Sequence, residues 1–128
     1  MNKLFLMFLL VFTGFSQNIK AQSFDNAITA IRTGNASALA AHFSGNVEVS
    51  IKGNEASYSK AQAEMVIKNF FSTQPPKSFT VVHQGTSPEG SKYFIGTLTT
   101  SSATYRTYVY AKPQGNMLVI QEIRFEVQ

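Results

Sequence analysis

Apolar residues recur at helical spacing soon after the start of the chain. The segment Ser23 to Thr33 carries apolar residues that share one helical face: Phe24, Ala27, Ile28 and Ile31. Gly34 fits the left-handed residue that ends a helix, and Asn35 can cap a second, shorter helix from Ala36 to about Phe43. The pattern therefore predicts two consecutive helices joined by a tight turn.

The spacing of apolar residues then changes from the helical period to alternation. Between Val47 and Lys52 every second residue is apolar, which is typical of a half-buried strand. Gly53 and Asn54 form a turn pair, and Glu55 to Tyr58 can return as a short second strand. These residues predict a β-hairpin.

A third helix follows this hairpin. Ser59 and Gln62 have the spacing of a capping box, in which each side chain bonds the other's backbone N–H. The apolar residues that follow lie at i, i+3, i+4 and i+7: Ala63, Val66, Ile67 and Phe70. Pro75 and Pro76 cannot continue a helix, so the helix must end before them.

The rest of the chain is predicted to be strand. Four segments are rich in aromatic and β-branched residues: Ser78–Gly85, Lys92–Thr100, Thr104–Lys112 and Met117–Val127. Their connections are short turns, which produce antiparallel hairpins. The sequence thus predicts an α+β domain, in which three N-terminal helices pack on one face of a curved, mostly antiparallel sheet.

Both faces of that sheet are predicted to be partly apolar. In the last strand, strict alternation places Val119, Ile123 and Phe125 on one side and Leu118 and Ile120 on the other. One layer of helices covers only one face of a sheet. We therefore expect the uncovered face to pair with a second copy in a homodimer, the alternative being a partly apolar monomer surface.

The N-terminus has the features of a signal peptide. Lys3 precedes 12 almost wholly apolar residues, Leu4 to Phe15, which is too short for a membrane anchor of roughly 20 residues. Small residues allow cleavage before Gln17 or before Gln22. We expect an exported protein, periplasmic or secreted, with residues 1–21 as signal peptide and 22–128 as a single domain. The alternative is a buried N-terminal helix.

Composition and charge narrow the classes of function. The chain has 128 residues and no cysteine, which excludes disulfides, cysteine nucleophiles and thiolate metal sites. Cleavage before Gln22 would remove Lys3 and Lys20, leaving 9 basic against 7 acidic residues, so the net charge falls from +4 to +2. A net charge of +2 does not indicate a basic surface for binding nucleic acid. No membrane anchor is expected after cleavage.

Five residues are candidates for lining a pocket. His83 shares strand phase with Phe79, so simple alternation points it toward an apolar layer, and Gln121 is placed between apolar residues in the same way. Tyr105, Arg106 and Tyr108 crowd a neighbouring strand and could bind a planar or anionic ligand. The alternatives are a core histidine and amide, and ordinary cross-strand pairs; alternation alone does not settle which side of the 104–112 strand faces inward.

No catalytic constellation is visible. The two histidines lie outside any metal-binding spacing, and no GxSxG nucleophile elbow is present. His42 lies at the end of the predicted second helix, where a cation would suit the helix dipole. The acidic residues are explained by helix starts, turns and polar strand positions, so none is forced inward. The sequence therefore predicts no catalytic, metal or cofactor-binding residue.

The order of these segments resembles nuclear transport factor 2-like domains, also grouped as cystatin-like. The opening carries Gly34-Asn35-Ala36, Leu39-Ala40, Phe43 and Val47-Glu48-Val49. The middle is similar to a family of small exported bacterial proteins of unknown function in that superfamily, in Tyr58–Ala63, Phe70-Phe71, Pro75–Phe79, His83–Gly85 and Ile95–Leu98. The resemblance implies a cone, in which a bent sheet wraps a helix and often encloses a pocket.

This fold hosts many functions, so the resemblance implies none. We expect a non-catalytic exported domain that dimerises through its sheet and holds a small apolar or amphipathic ligand, or that docks onto an envelope partner. The alternative is a small pocket enzyme of the isomerase or dehydratase type. Such enzymes need a carboxylate base inside an apolar pocket.

Overall fold

The computed structural model describes residues 23–128, so the predicted leader lies outside the described residues. The helices are α1 (Asp25–Thr33), α2 (Ala36–Ala40) and α3 (Lys60–Thr73). The strands are β1 (Phe43–Ile51), β2 (Asn54–Ser59), β3 (Pro76–Thr86), β4 (Lys92–Thr100), β5 (Thr104–Gln114) and β6 (Met117–Val127). Between residues 23 and 128 no helix is long and apolar enough to cross a membrane.

The strands form one sheet in the order β2-β1-β6-β5-β4-β3. Neighbouring strands are antiparallel except β1 and β6, which run parallel in the middle of the sheet. The predicted α+β class and element order are confirmed, although α3 follows the first hairpin. The second helix ends at Ala40, earlier than expected, because Phe43 already begins β1 and pairs with Ile120.

Local signals define the helix ends. The Asn35 side chain accepts a hydrogen bond from the Ala38 N–H at 3.0 Å, and Gly34 takes the left-handed backbone, with φ 67°, that ends α1. Ser59 and Gln62 bond each other's backbone N–H groups as the capping box predicts. These contacts explain why the helix starts were readable from sequence.

The helices cover one side of the sheet, which we call the inner face. Phe70 of α3 lies 4.7 Å from Phe125 and 5.1 Å from Tyr105, measured between ring centroids. Nearer β3 and β4, the Phe94 ring lies 4.8 Å from Phe24, the residue just before α1, and 6.0 Å from Phe79. Aromatic rings thus fill the space between the helices and the sheet.

A β-bulge in β6 corrects one expectation about this core. Tyr110 pairs with Glu122, but its neighbour Ala111 pairs with Ile120, so Gln121 is the extra residue. The extra residue shifts the alternation by one. Buried Leu118 and Ile120 therefore share the inner face with Ile123 and Phe125, and the prediction that these residues divide between two faces is wrong.

The side of the sheet away from the helices, which we call the outer face, is more polar than predicted. Its central residues are Tyr93, Ile95 and Thr97 of β4, Arg106, Tyr108 and Tyr110 of β5, and Val119, Glu122, Arg124 and Glu126 of β6. Three of them are aromatic and only two are aliphatic. The apolar part of this face is therefore mainly tyrosine rings, whose hydroxyls can meet water.

Candidate functional site

An aromatic row crosses three strands of the outer face. The Nε2 atom of His83 and the hydroxyl of Tyr93 form a hydrogen bond of 2.8 Å, and their ring centroids lie 5.6 Å apart. Tyr93 in turn lies 6.2 Å from Tyr108 on β5. His83, Tyr93 and Tyr108 thus form a continuous surface, which we call the aromatic row.

His83 lies on the face of the sheet opposite to the one predicted from sequence. A bulge separates Val81, which pairs with Gly96, from His83, which pairs with Ile95. Val82 is the extra residue, so His83 changes faces and its side chain is exposed on the outer face. Strict alternation from Phe79 predicted the opposite side, because a bulge leaves no simple mark in the sequence.

A glycine allows the aromatic row to lie close to the sheet. An added Cβ at Gly85 would overlap the Tyr93 ring on the neighbouring strand. The Tyr93 ring therefore lies against the backbone of β3, where it can reach His83. His83 and Gly85 of β3 therefore both contact the Tyr93 ring or its hydroxyl on β4.

A charged cluster continues the row toward β1 and β2. Arg124 bonds Glu122 on its own strand and also lies 3.6 Å from a carboxylate oxygen of Glu55 on β2. Carboxylate oxygens of Glu48, Glu55 and Glu122 lie within 4.8 Å of one another. No sequence signal brings Glu48 and Glu55 to this cluster, because their proximity to Glu122 depends on the parallel pairing of β1 with β6.

These neighbours change the titration of Tyr108. Partial burial is the main cause that raises the pKa of Tyr108 above its ordinary value, and the negative charge of Glu122 raises the pKa further. The hydrogen bond to Glu122 and that charge likewise raise the pKa of Arg124. The charged cluster and the aromatic row are therefore electrostatically coupled.

The five candidate pocket residues do not meet at one place. His83, Arg106 and Tyr108 lie on the outer face, where Arg106 and Tyr108 line one open concavity beside Glu122 and Arg124. Gln121 lies half-buried in its bulge and donates from its side-chain nitrogen to the Val119 carbonyl at 3.3 Å, so its predicted strand phase is wrong. Tyr105 has no exposed surface and packs on Phe70 in the core.

A second concave region lies at the other end of the inner face, between the β1–β2 hairpin and α3. This cleft has a volume of about 380 Å³. It is lined by Val49, Ile51, Lys52, Asn54, Tyr58, Val66, Asn69, Phe70 and Thr73. None of these residues was singled out as a ligand contact from sequence. The predicted turn pair, Gly53-Asn54, is off by one residue, because Lys52 and Gly53 make the turn and Asn54 already pairs with Ile51.

Ionisable groups are sparse on the inner side. The seven Asp and Glu side chains of the chain all belong to the described residues, and none of them is fully buried. His42 lies half-buried after α2, where burial, and then the charge of Lys60, lowers its pKa. A lowered pKa favours the neutral ring, which contradicts the expectation that His42 serves as a cation on the helix dipole.

Solved structures place the chain in a class of fold. An NTF-2 like protein of unknown function from Silicibacter pomeroyi matches with a TM-score of 0.61 at 8% identity, over 81% of this chain and 88% of that chain. This likeness concerns the fold alone. Together with the six-stranded sheet and three helices, it shows that this α+β domain has a nuclear transport factor 2-like fold.

The family follows from a closer match. The model of a domain of unknown function (DUF4783) matches residues 24–126, and the chain belongs to that family. A DUF4783 protein from Bacteroides uniformis is 30% identical, with a TM-score of 0.77, over 81% of this chain and 95% of that chain. One from Bacteroides ovatus is 27% identical, with a TM-score of 0.80, over 84% and 97%. No curated protein matches the chain.

Proposed function

We propose that this chain is an exported, non-catalytic interaction domain that forms a homodimer through its outer sheet face. The observation that carries the proposal is the aromatic row, His83, Tyr93 and Tyr108, which lies on the side of the sheet without helices. Tyrosine rings on an open face are typical of protein interfaces.

The size of this face suits a dimer. Strands spaced about 4.8 Å apart and about 30 Å long give a six-stranded sheet a face of roughly 700 Å². A specific interface buries about 800 Å² on each partner. The outer face with its adjoining loops therefore provides approximately the area that a second copy would need.

The charges on this face favour a second copy over a partner of one charge. The acidic side chains of Glu48, Glu55 and Glu122 lie toward the β2 edge, while the basic side chains of Arg106 and Lys112 lie on β5. A two-fold axis that lies in the plane of the interface and runs along the strands brings β6 of each copy opposite β5 of the other, so Glu122 lies opposite the strand that carries Arg106 and Lys112. Both signs on one face make this pairing self-complementary.

The inner face supports a non-catalytic role. Aromatic rings occupy the interior that a hollow cone would leave open, so we propose a cone that is filled rather than one that encloses a pocket. An isomerase of this fold would need a carboxylate among those rings, whereas the carboxylates here are at the surface. We therefore favour the interaction domain over the pocket enzyme.

Light scattering after gel filtration tests the dimer on residues 22–128. At about 100 µM we expect the mass of two chains, and a Tyr108→Glu variant should elute with the mass of one, because a buried charge opposes association. Met65→Glu is the matched control, since Met65 is 66% exposed on α3 and should leave the dimer intact. A single-chain mass for the unaltered protein would refute the homodimer.

Export has a separate test. Expression of the full chain in a Gram-negative host, followed by fractionation and intact mass measurement, should give periplasmic protein that begins at Gln17 or Gln22. Replacing Leu9 and Leu10 with Arg should leave uncleaved protein in the cytoplasm. Full-length mass in the unaltered protein would contradict the signal peptide.

A further inference from the structure

The cleft between the β1–β2 hairpin and α3 has an apolar interior. Val49 and Phe70 are buried at its floor, and Ile51, Tyr58 and Val66 are partly buried against the core. The volume of about 380 Å³ falls in the range of small-molecule sites. The shape and lining are therefore suited to a small ligand with an apolar body.

The rim of the cleft has one sign of charge. Lys52 is its charged residue, and Asn54, Asn69 and Thr73 complete the polar lining. Within residues 23–128 both ion pairs involve Arg124, so no carboxylate there neutralises the Lys52 ammonium. An anionic group at the rim would meet this cation and the amide donors beside it.

The backbone at Lys52 is unusual for a lysine. Lys52 and Gly53 form the two-residue turn of the hairpin with positive φ values of 53° and 83°. Asn-Gly is the preferred pair in such a turn, and lysine is a poor choice for the first position. The Lys52 N–H donates to the Phe125 carbonyl at 2.9 Å, which anchors the turn to the last strand beside the cleft.

We propose that this cleft binds a small amphipathic carboxylate, with its apolar body against Val66 and Phe70 and its carboxylate on Lys52. The ligand class follows from the charge of the rim and the apolar floor. The cleft opens on the inner side of the sheet, away from the aromatic row, so this site does not depend on the proposed dimer.

Octanoate is the probe for the unaltered residues 22–128. In a titration followed by ¹⁵N–¹H correlation spectra, we expect shifts at Lys52, Asn69 and Thr73 with a dissociation constant of about 1 mM. Octylammonium, which has the same chain and the opposite charge, should bind about tenfold more weakly or not at all. Equal binding of the two, or no shifts at the cleft with octanoate, overturns the proposal.

Two variants separate the charge from the fold. Lys52→Asn keeps a residue that suits the turn, so the hairpin should remain while octanoate affinity falls about tenfold. Lys77→Gln is the control, because Lys77 is exposed on β3, at the edge of the sheet opposite the β1–β2 hairpin, and its affinity should equal that of the unaltered protein. Unchanged affinity in Lys52→Asn refutes the role of Lys52, whether or not the protein is a dimer.

Discussion

Both faces of the sheet carry aromatic residues, but these residues are buried on the inner face and partly open to solvent on the outer face. On the inner face, Phe79, Phe94 and Phe125 are almost completely buried among helix residues. On the outer face, Tyr93 and Tyr108 are half-buried, and the Tyr93 hydroxyl forms a hydrogen bond with His83. Apolar rings hold the fold together on one side, and rings with a polar end form a surface on the other.

Two glycines repeat this contrast. Gly96 of β4 lies under the Phe79 ring on the inner face, and an added Cβ there would overlap that ring and lie 2.9 Å from the Thr80 carbonyl oxygen. Gly85 of β3 lies under the Tyr93 ring on the outer face. The ring over Gly96 is enclosed, whereas the ring over Gly85 can move into solvent.

The largest expected effect comes from removing an inner ring. Phe125→Ala should lower the free energy of unfolding by about 3–5 kcal/mol, because Phe125 has no exposed surface and contacts Phe70 and Phe71. Ile95→Ala on the outer face should cost less than about 1.5 kcal/mol at concentrations where the protein is monomeric. Urea unfolding measures both, and equal losses of unfolding free energy would contradict the idea that the inner face stabilises the fold more than the outer face does.

The glycines allow the same comparison with a smaller change. Gly96→Ala should destabilise by about 1–3 kcal/mol, since neither the enclosed Phe79 ring nor the Thr80 backbone can yield freely. Gly85→Ala should cost less than about 1 kcal/mol, but it should displace Tyr93 and shift the His83 ring resonances. A larger loss for Gly85→Ala than for Gly96→Ala would reverse the comparison.

A threonine hydroxyl lies among the apolar side chains of the inner face. Thr107 is fully buried, and within residues 23–128 its hydroxyl oxygen has no hydrogen-bond partner. Thr107→Val keeps the shape and removes the unpaired group, so it should stabilise the protein by about 1 kcal/mol in urea unfolding. Thr104→Val, at a half-exposed position on β5, is the control and should change little; destabilisation by Thr107→Val would mean that the hydroxyl is satisfied in solution.

Most of the fold was readable from sequence, because its signals are local. Capping residues, turn pairs and the change of period at Val47 predicted the element order, and β4 and β6 have the predicted bounds. The site was less predictable. Bulges at Val82 and Gln121 each shift the alternation by one residue, which moved His83 to the outer face and Leu118 to the inner face.

The smallest expected effect concerns His42, which lies half-buried between the core and solvent. Because burial lowers the pKa of His42 in the folded state, the unfolded chain binds a proton first as the pH falls. Stability should therefore decrease as the pH drops through the ordinary value of 6.5 and level off below the folded-state pKa. Urea midpoints measured between pH 7 and the plateau test this. His42→Gln should remove the decrease in stability, and Lys60→Gln should reduce it only in part, since the charge of Lys60 is the lesser cause of the lowered pKa. The same pH dependence in His42→Gln as in the unaltered protein would show that the decrease arises elsewhere.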